Sequence, residues 1–309
     1  MLERGALAAM GTRFEIIAAG ASASHARAAI ESALAEIEHC HQLWNPFSGD
    51  SVVSRLHDAS RPEVPVDGLT LELLALCEQL QRETDGAFSA TVGDVLASRD
   101  PRRSSGKDST GNPDVKSLPE SLFKIHSQPP HVQICAPDVR WDFGAIAKGF
   151  ALDLARDALC EAGVENAFLH GGSSSVAVLG SAPGLNGWRV QLPHGEVVSL
   201  EDGQSLAVSS GQGNYRGDHL VDPVSGEWIE DMAWGCWVRG IRCAEVDAWA
   251  TALLVSRDRS VRLKVAGAEG DDWGVLDIPE AGEARMKMSP EEEIALQVLG
   301  VSSRDVESA

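Results

Sequence analysis

The chain has 309 residues, with 46 acidic and 26 basic side chains and a formal net charge of −20. That balance excludes a nucleic-acid binder, which needs clustered Lys and Arg, and disfavours attachment to anionic lipid. With 43% hydrophobic and 23% charged residues, the composition is that of a globular protein with a sizeable core rather than a disordered chain.

The opening stretch, Met1 to Ile16, carries Glu3 and Arg13 around a short apolar run. It has neither the apolar region of a leader peptide nor a lipid-acceptor cysteine, and no run approaches the roughly 20 apolar residues of a membrane span. The expectation is a soluble, cytoplasmic protein. Residues 10–19 read as a strand. Ala21 to His41 reads as a helix, with Ala26, Ile30, Ala33, Leu34 and Ile37 at the helical period. Thr70 to Arg82 is a second helix. Residues 100–121, rich in Pro, Gly, Ser and charge, mark a long loop or insertion. Short strands are expected at Val132–Cys135, Ala167–Leu169, Val176–Leu179, Trp188–Leu192 and Leu206–Ser209, with helices at Ala145–Ala162 and Val246–Val255. Ser289–Leu299 opens as Ser-Pro-Glu-Glu-Glu, a good start for a closing helix. Mixed helices and strands indicate an α+β or layered α/β fold. The six cysteines show no C-x-x-C pair and read as buried free thiols.

Several segments carry residue types suited to chemistry. Asp142-Phe143-Gly144-Ala145-Ile146-Ala147-Lys148-Gly149 puts an acid at an expected strand end, then glycine, then a helix bearing one lysine. Glycine admits close backbone approach, a helix start offers free N–H groups to an anion, and Lys148 adds a point charge. Asp247 and Thr251 are four apart and share a helix face, two hard oxygens of the kind Mg²⁺ takes. The alternative is a helix cap at Asp247 and a threonine bonded back to its own helix. His170-Gly171-Gly172-Ser173-Ser174-Ser175 and Val208-Ser209-Ser210-Gly211 are small-residue loops able to aim N–H groups at phosphate. His219 with Asp222 suggests a base and an orienting carboxylate, against a surface histidine beside a Pro-containing turn. Ser209 or Ser210 with that pair would form a serine hydrolase site, but no G-x-S-x-G elbow is present. His39-Cys40-His41 looks metal-like but lacks a fourth ligand of matching spacing.

The order of the pieces says more than any one of them. Met10-Gly11-Thr12, Phe47-x-x-Asp50-Ser51-x-x-Ser54-x-Leu56, Thr84-Asp85-Gly86-Ala87-Phe88, the Asp142–Gly149 segment, Gly171-Gly172, Ser209-Ser210-Gly211, His219-Leu220-Val221-Asp222-Pro223-x-x-Gly226 and Asp247-x-x-x-Thr251 together resemble the FAD:protein FMN transferases of the ApbE family. The resemblance spans about residues 8–256 and implies one layered α/β domain over 1–309, with FAD in a cleft and residues 257–309 as an extension. It implies transfer of the FMN half of FAD to a Thr or Ser hydroxyl of an acceptor flavoprotein, with AMP leaving and Mg²⁺ at the pyrophosphate. By position, Asp247, Thr251 and the carbonyl of Ala145 correspond to Mg²⁺ ligands. Asp142, Lys148, Met10, Phe47, Ala87, Phe88, Ser89 and Leu220 correspond to FAD contacts, and His219 to the base. The other readings are an FAD-binding protein that does not transfer and the serine hydrolase above.

Four positions depart from the family pattern. Phe47 stands where tyrosine is usual, Ser89 and Ser173 where aspartate is usual, and His170 where a small or polar residue precedes the two glycines. Charge adds a constraint, because FAD is itself an anion. Local features, namely Mg²⁺, Lys148 and glycine-rich N–H groups, must overcome a strongly negative chain.

Overall fold

A computed structural model of the chain describes residues 2–20, 22–58, 60–93, 122–136, 139–192, 196–210, 220–229, 234–256, 272–277 and 287–288. The stretch 100–121, the expected helix Ser289–Leu299 and the proposed base His219 lie outside the described residues.

The molecule is built on a seven-stranded sheet of order β1-β2-β6-β7-β10-β11-β12. Its strands are β1 (Leu2–Ala9), β2 (Thr12–Ala19), β6 (Asn166–Gly171), β7 (Ser175–Leu179), β10 (Ser205–Ser210), β11 (Trp234–Gly240) and β12 (Asp272–Asp277). Every pairing is antiparallel, so of the two fold classes the sequence allows, the α+β form is the one adopted. Two three-stranded sheets flank it. One joins β3 (Glu63–Pro65), β5 (Pro130–Ile134) and β4 (Phe123–Ser127), and the other joins β13 (Lys287–Met288), β8 (Trp188–Gln191) and β9 (Val197–Leu200). The stretch expected as a C-terminal extension therefore supplies an edge strand to the main sheet and one to a flanking sheet.

Helices α1 (Ala23–Trp44), α4 (Ala147–Glu161) and α5 (Cys243–Val255) pack on one face of the main sheet, while α2 (Val52–Leu56) packs on α1 and α3 (Gly68–Glu83) packs on β4, β5 and α5. Strand alternation explains the layering. Phe14, Ile16, Ala18, Leu169, Ala177 and Leu179 point to the helices and join the largest core cluster. Their neighbours Phe168, Val176, Val178, Leu206 and Trp237 point the other way, against Trp188, Val190 and Leu200 of the β8–β9 ribbon.

Capping sets the helix starts. Ser22 accepts from the N–H of His25, Ser51 from that of Ser54 and Asp67 from that of Thr70. At the far end of α3, Gly86 donates to the Gln81 carbonyl with Asp85 at φ 52, a Schellman-type stop. Strand β1 escapes a reading by alternation because Glu3, Arg4 and Gly5 interrupt the apolar pattern. Gly5 has a packing reason, since a β-carbon there would run into Ile30 of α1. The cysteines divide: Cys40, Cys77, Cys236 and Cys243 are buried, but Cys135 and Cys160 are exposed, so the expectation of uniformly buried thiols fails at two positions.

Candidate active site

Antiparallel pairing carries distant motifs to one end of the main sheet. The β1–β2 turn at Met10-Gly11, the β6–β7 turn after Gly171 and the end of β10 at Ser209-Ser210 all fall there. This follows from the registers Ala9↔Thr12, Phe14↔Gly171, Gly171↔Ser175, Ala207↔Ser175 and Ser210↔Gly235. Gly172 donates its N–H to the Arg13 carbonyl at 2.9 Å, and a β-carbon on it would fall on the Thr12 hydroxyl. The two-glycine loop is thereby pressed onto the Met10 turn.

Met10 and Gly11 have φ of 49 and 73, the signature of a type I′ hairpin turn. Left-handed backbone is costly at a methionine, and such strain concentrates at working positions. Nδ1 of His41, at the end of α1, accepts the Met10 N–H at 3.2 Å. Within His39-Cys40-His41, Cys40 is buried in the core and His39 is exposed, so the three side chains do not converge. Among the described residues no group of three or more His, Cys, Asp or Glu side chains is placed to hold a metal.

Helices α4 and α5 cap each other. The start of α4 lacks a side-chain cap of its own. Instead Oδ2 of Asp247, from within α5, accepts the Gly149 N–H at 3.0 Å. In return both Asp153 oxygens, from α4, accept the first N–H groups of α5, Cys243 at 2.8 Å and Ala244 at 2.9 Å. Burial pushes the Asp153 carboxyl up, against the opposing pull of Arg156 and those two N–H bonds. Arg156 donates to Asp153 and also to Gly203, Ser205 and Ile241. The helices meet so closely at Gly149 that a β-carbon there would enter the Cys243 carbonyl. Asp247 is thus an interior helix residue, not the cap of its own helix.

This exchange gathers hard oxygens. Asp247 is only 5% exposed, with Ser175 Oγ on its Oδ1 at 2.8 Å and Lys148 Nζ 3.5 Å from Oδ2. A continued helix would bond the Gly149 N–H to the Ala145 carbonyl, but that N–H is engaged by Asp247. Among the described residues no donor is bonded to Ala145 O. Thr251 donates its hydroxyl proton to the Asp247 carbonyl at 3.3 Å, the back-bonding alternative, and among the described residues no donor is bonded to its oxygen. One carboxylate, one hydroxyl and one bare carbonyl suit a Mg²⁺ ion that takes its other ligands from water and substrate phosphate.

The acid of the Asp142 segment does not end a strand. Residues 141–143 are irregular, and Asp142 Oδ1 accepts the Gly144 N–H at 2.8 Å. Lys148 Nζ reaches back to the Gly144 carbonyl at 3.2 Å. Two bonds, Asp142 N–H to Ala90 O and Gly93 N–H to Arg140 O, lay 90–93 along this segment. Ala87 and Phe88 just before it are core residues, and the Phe88 N–H is bonded to the Thr84 hydroxyl. Ser89 Oγ is bonded to Thr91. A β-carbon on Gly86 would touch Val224, so the 84–89 loop also meets the 220–229 hairpin.

Leu220 is buried in one apolar cluster with Val246, Ala250 and Leu253 of α5, which anchors the 220–229 hairpin. Asp222 accepts from the Val224 N–H and the Ser225 hydroxyl. Its oxygens thus cap a turn, as the bland alternative has it. Phe47 is 53% exposed, on the loop between α1 and α2. The main-chain N–H of Gly149 and the hydroxyl of Ser175 escaped sequence reasoning, because a hydrogen-bond partner 72 or 98 positions away leaves no local pattern.

On the opposite face of the sheet Glu15 is buried among Arg4, Arg13 and His170. Burial pushes its carboxyl up, but hydrogen bonds and charge from His170 and Arg4 outweigh that and hold it at about 2. The other ring nitrogen of His170 lies 3.0 Å from the Gly172 carbonyl, so this cluster also ties down the two-glycine loop.

The chain is similar to proteins already known. Relatives include an FAD:protein FMN transferase of Rhodobacter capsulatus, 28% identical over 270 residues, covering 80% of this chain and 50% of that one. One of Escherichia coli K12 is 23% identical, covering 80% and 76%. The chain therefore spans half the length of the first and about three quarters of the second. Among solved structures, flavin transferase ApbE from Vibrio cholerae superposes with a TM-score of 0.72 at 20% identity, covering 95% and 99%. The ApbE protein of Thermotoga maritima gives 0.70 at 22%, also covering 95% and 99%. These likenesses show the fold. The ApbE family model matches residues 10–268, and the chain belongs to the ApbE family.

Proposed function

We propose that the protein is a Mg²⁺-dependent FAD:protein FMN transferase that flavinylates a Thr or Ser hydroxyl of an acceptor protein. The observation that carries this reading is that the buried Asp247 takes the Gly149 N–H that would otherwise close the Ala145 carbonyl, with Thr251 one turn along the same helix and Lys148 alongside. Ordinary helix geometry would close that carbonyl. Left without that bond, the carbonyl oxygen is available to a cation bound at Asp247. When bound there, Mg²⁺ supplies charge neutralisation across the pyrophosphate oxygens.

The remaining work falls to the chain's own groups. Lys148 contributes positive charge toward the phosphates. The Gly171-Gly172 loop brings backbone to the same end of the sheet. Met10 and the half-exposed ring of Phe47 bound the flavin side. Ala87, Phe88 and Ser89 contribute their main chain and the Ser89 hydroxyl, since the Ala87 and Phe88 side chains are in the core. Asp142 shapes the turn that presents Gly144 and Ala145. Leu220 holds the 220–229 hairpin, and His219 takes the proton of the acceptor hydroxyl. The acceptor oxygen then bonds to the FMN phosphorus, the pyrophosphate P–O bond breaks, and AMP leaves with the bridging oxygen. Catalysis of this kind is mostly placement and electrostatics.

Incubation with FAD, Mg²⁺ and an acceptor flavoprotein, followed by intact-mass analysis, tests the proposal. The expected product is acceptor carrying one FMN phosphoester, with equimolar AMP. FAD bound without any covalent product over many acceptors would leave a flavin-binding protein instead.

A further inference from the structure

We propose that Ser175 is a positioning residue that sets the orientation of the Asp247 carboxylate for a divalent cation. This rests on the reading of Asp247 as a metal ligand. Ser175 opens β7, paired with Gly171 on one side and Ala207 on the other. Its backbone is further tied by the neighbouring bond from the Val208 N–H to the Ser174 carbonyl at 2.7 Å. Strand alternation puts its side chain on the helix-facing side with Ala177 and Leu179, and it is 0% exposed.

A hydroxyl buried to that degree needs an acceptor, and it has one in Asp247 Oδ1 at 2.8 Å across 72 residues of sequence. The Ser174 hydroxyl lies 3.2 Å away. On the other carboxylate oxygen sits the Gly149 N–H, with the Lys148 ammonium 3.5 Å off. Two rigid donors, one on each oxygen, hold the plane of the carboxylate and leave one lone pair on each oxygen directed elsewhere. Removing the Ser175 donor lets the group tip toward Lys148, a cation that competes with the metal. Partners that orient a ligand in this way change metal affinity without touching the metal.

The test is Mn²⁺ titration of the whole chain by electron paramagnetic resonance, without FAD or acceptor. Ser175→Ala is expected to weaken Mn²⁺ binding by about 10- to 100-fold, the usual effect of losing an outer-shell partner. Asp247→Asn is expected to bind none detectably. Val176→Ala removes buried volume from the same strand but no bond to Asp247, and should lower the unfolding midpoint while leaving affinity within about twofold. Ser175→Thr keeps the hydroxyl and should restore affinity. A Ser175→Ala variant that binds Mn²⁺ as the parent does, while Asp247→Asn does not, overturns the proposal. So does a folded Ser175→Thr variant as weak as the alanine. Parental binding by Asp247→Asn would instead remove the metal assignment itself, and this proposal with it.

Discussion

Replacing Gly149 by alanine would drive a methyl group into the carbonyl of Cys243, at the closest approach of α4 and α5. The obstacle is backbone, which has no rotamer to yield, so the helices must separate. Overpacking of this kind costs about 1–3 kcal/mol. Separation also breaks the Gly149 N–H bond to the Asp247 carboxylate, a hydrogen bond to a charged group worth about 1.5–3 kcal/mol. Alanine recovers about 1 kcal/mol of helix propensity over glycine. The net loss is about 1.5–5 kcal/mol, a fall in the urea midpoint on the order of 1 M. Urea unfolding followed by far-ultraviolet circular dichroism measures it. Mn²⁺ affinity in the folded variant should fall as well, because the same N–H orients Asp247. An unchanged midpoint with unchanged Mn²⁺ binding would show that the close approach of the helices does not hold the site, and would refute the reasoning.

Asp247→Asn should abolish Mg²⁺-dependent FMN transfer, read as loss of AMP release, with a drop in stability of about 1–3 kcal/mol as one carboxylate acceptor becomes a donor facing a donor. Asp247→Ala should lower stability as well, because Gly149 and Ser175 would both lose their acceptor. Glu15→Gln should flatten the acid limb of the stability profile. A carboxyl lowered from 4.5 to about 2 contributes about 3 kcal/mol above pH 4.5, lost as pH falls through 2. Equal acid sensitivity of variant and parent would contradict the role of the Arg4–Glu15–His170 cluster. His219→Ala should slow single-turnover transfer while FAD affinity holds, and an unchanged rate would remove His219 from the base role.

Much of the scaffold was legible because period and caps are local. The apolar spacing of Ala26, Ile30, Ala33 and Ile37 predicts α1, and the helices around Leu73–Leu80 and Val246–Val255 follow in the same way. Strands β6, β7, β8 and β10 were found to within two residues at each end. Strands β1, β11 and β12 were not, because glycines and charges interrupt their apolar pattern, and β9 was not because four residues are too few to show a period; only pairing with a neighbour makes them strands. Short helix α2 is similar, being one capped turn held by burial of Val52, Val53 and Leu56.

By itself the sequence determined the family, since eight motifs in one order survive without any knowledge of geometry. It also determined the residue types at the candidate site and the acidic balance against which the proposed substrate, an anion, would be bound. Tertiary structure decided how those residues act on each other. Antiparallel registers, not sequence distance, bring Met10, Gly171 and Ser210 to one end of the sheet. Reciprocal capping between α4 and α5 turns Asp247 from a helix residue into the acceptor of Gly149 and Ser175, and thereby bares the Ala145 carbonyl. Hydrogen bonds between elements depend on how helices dock, and no local pattern of side chains records that.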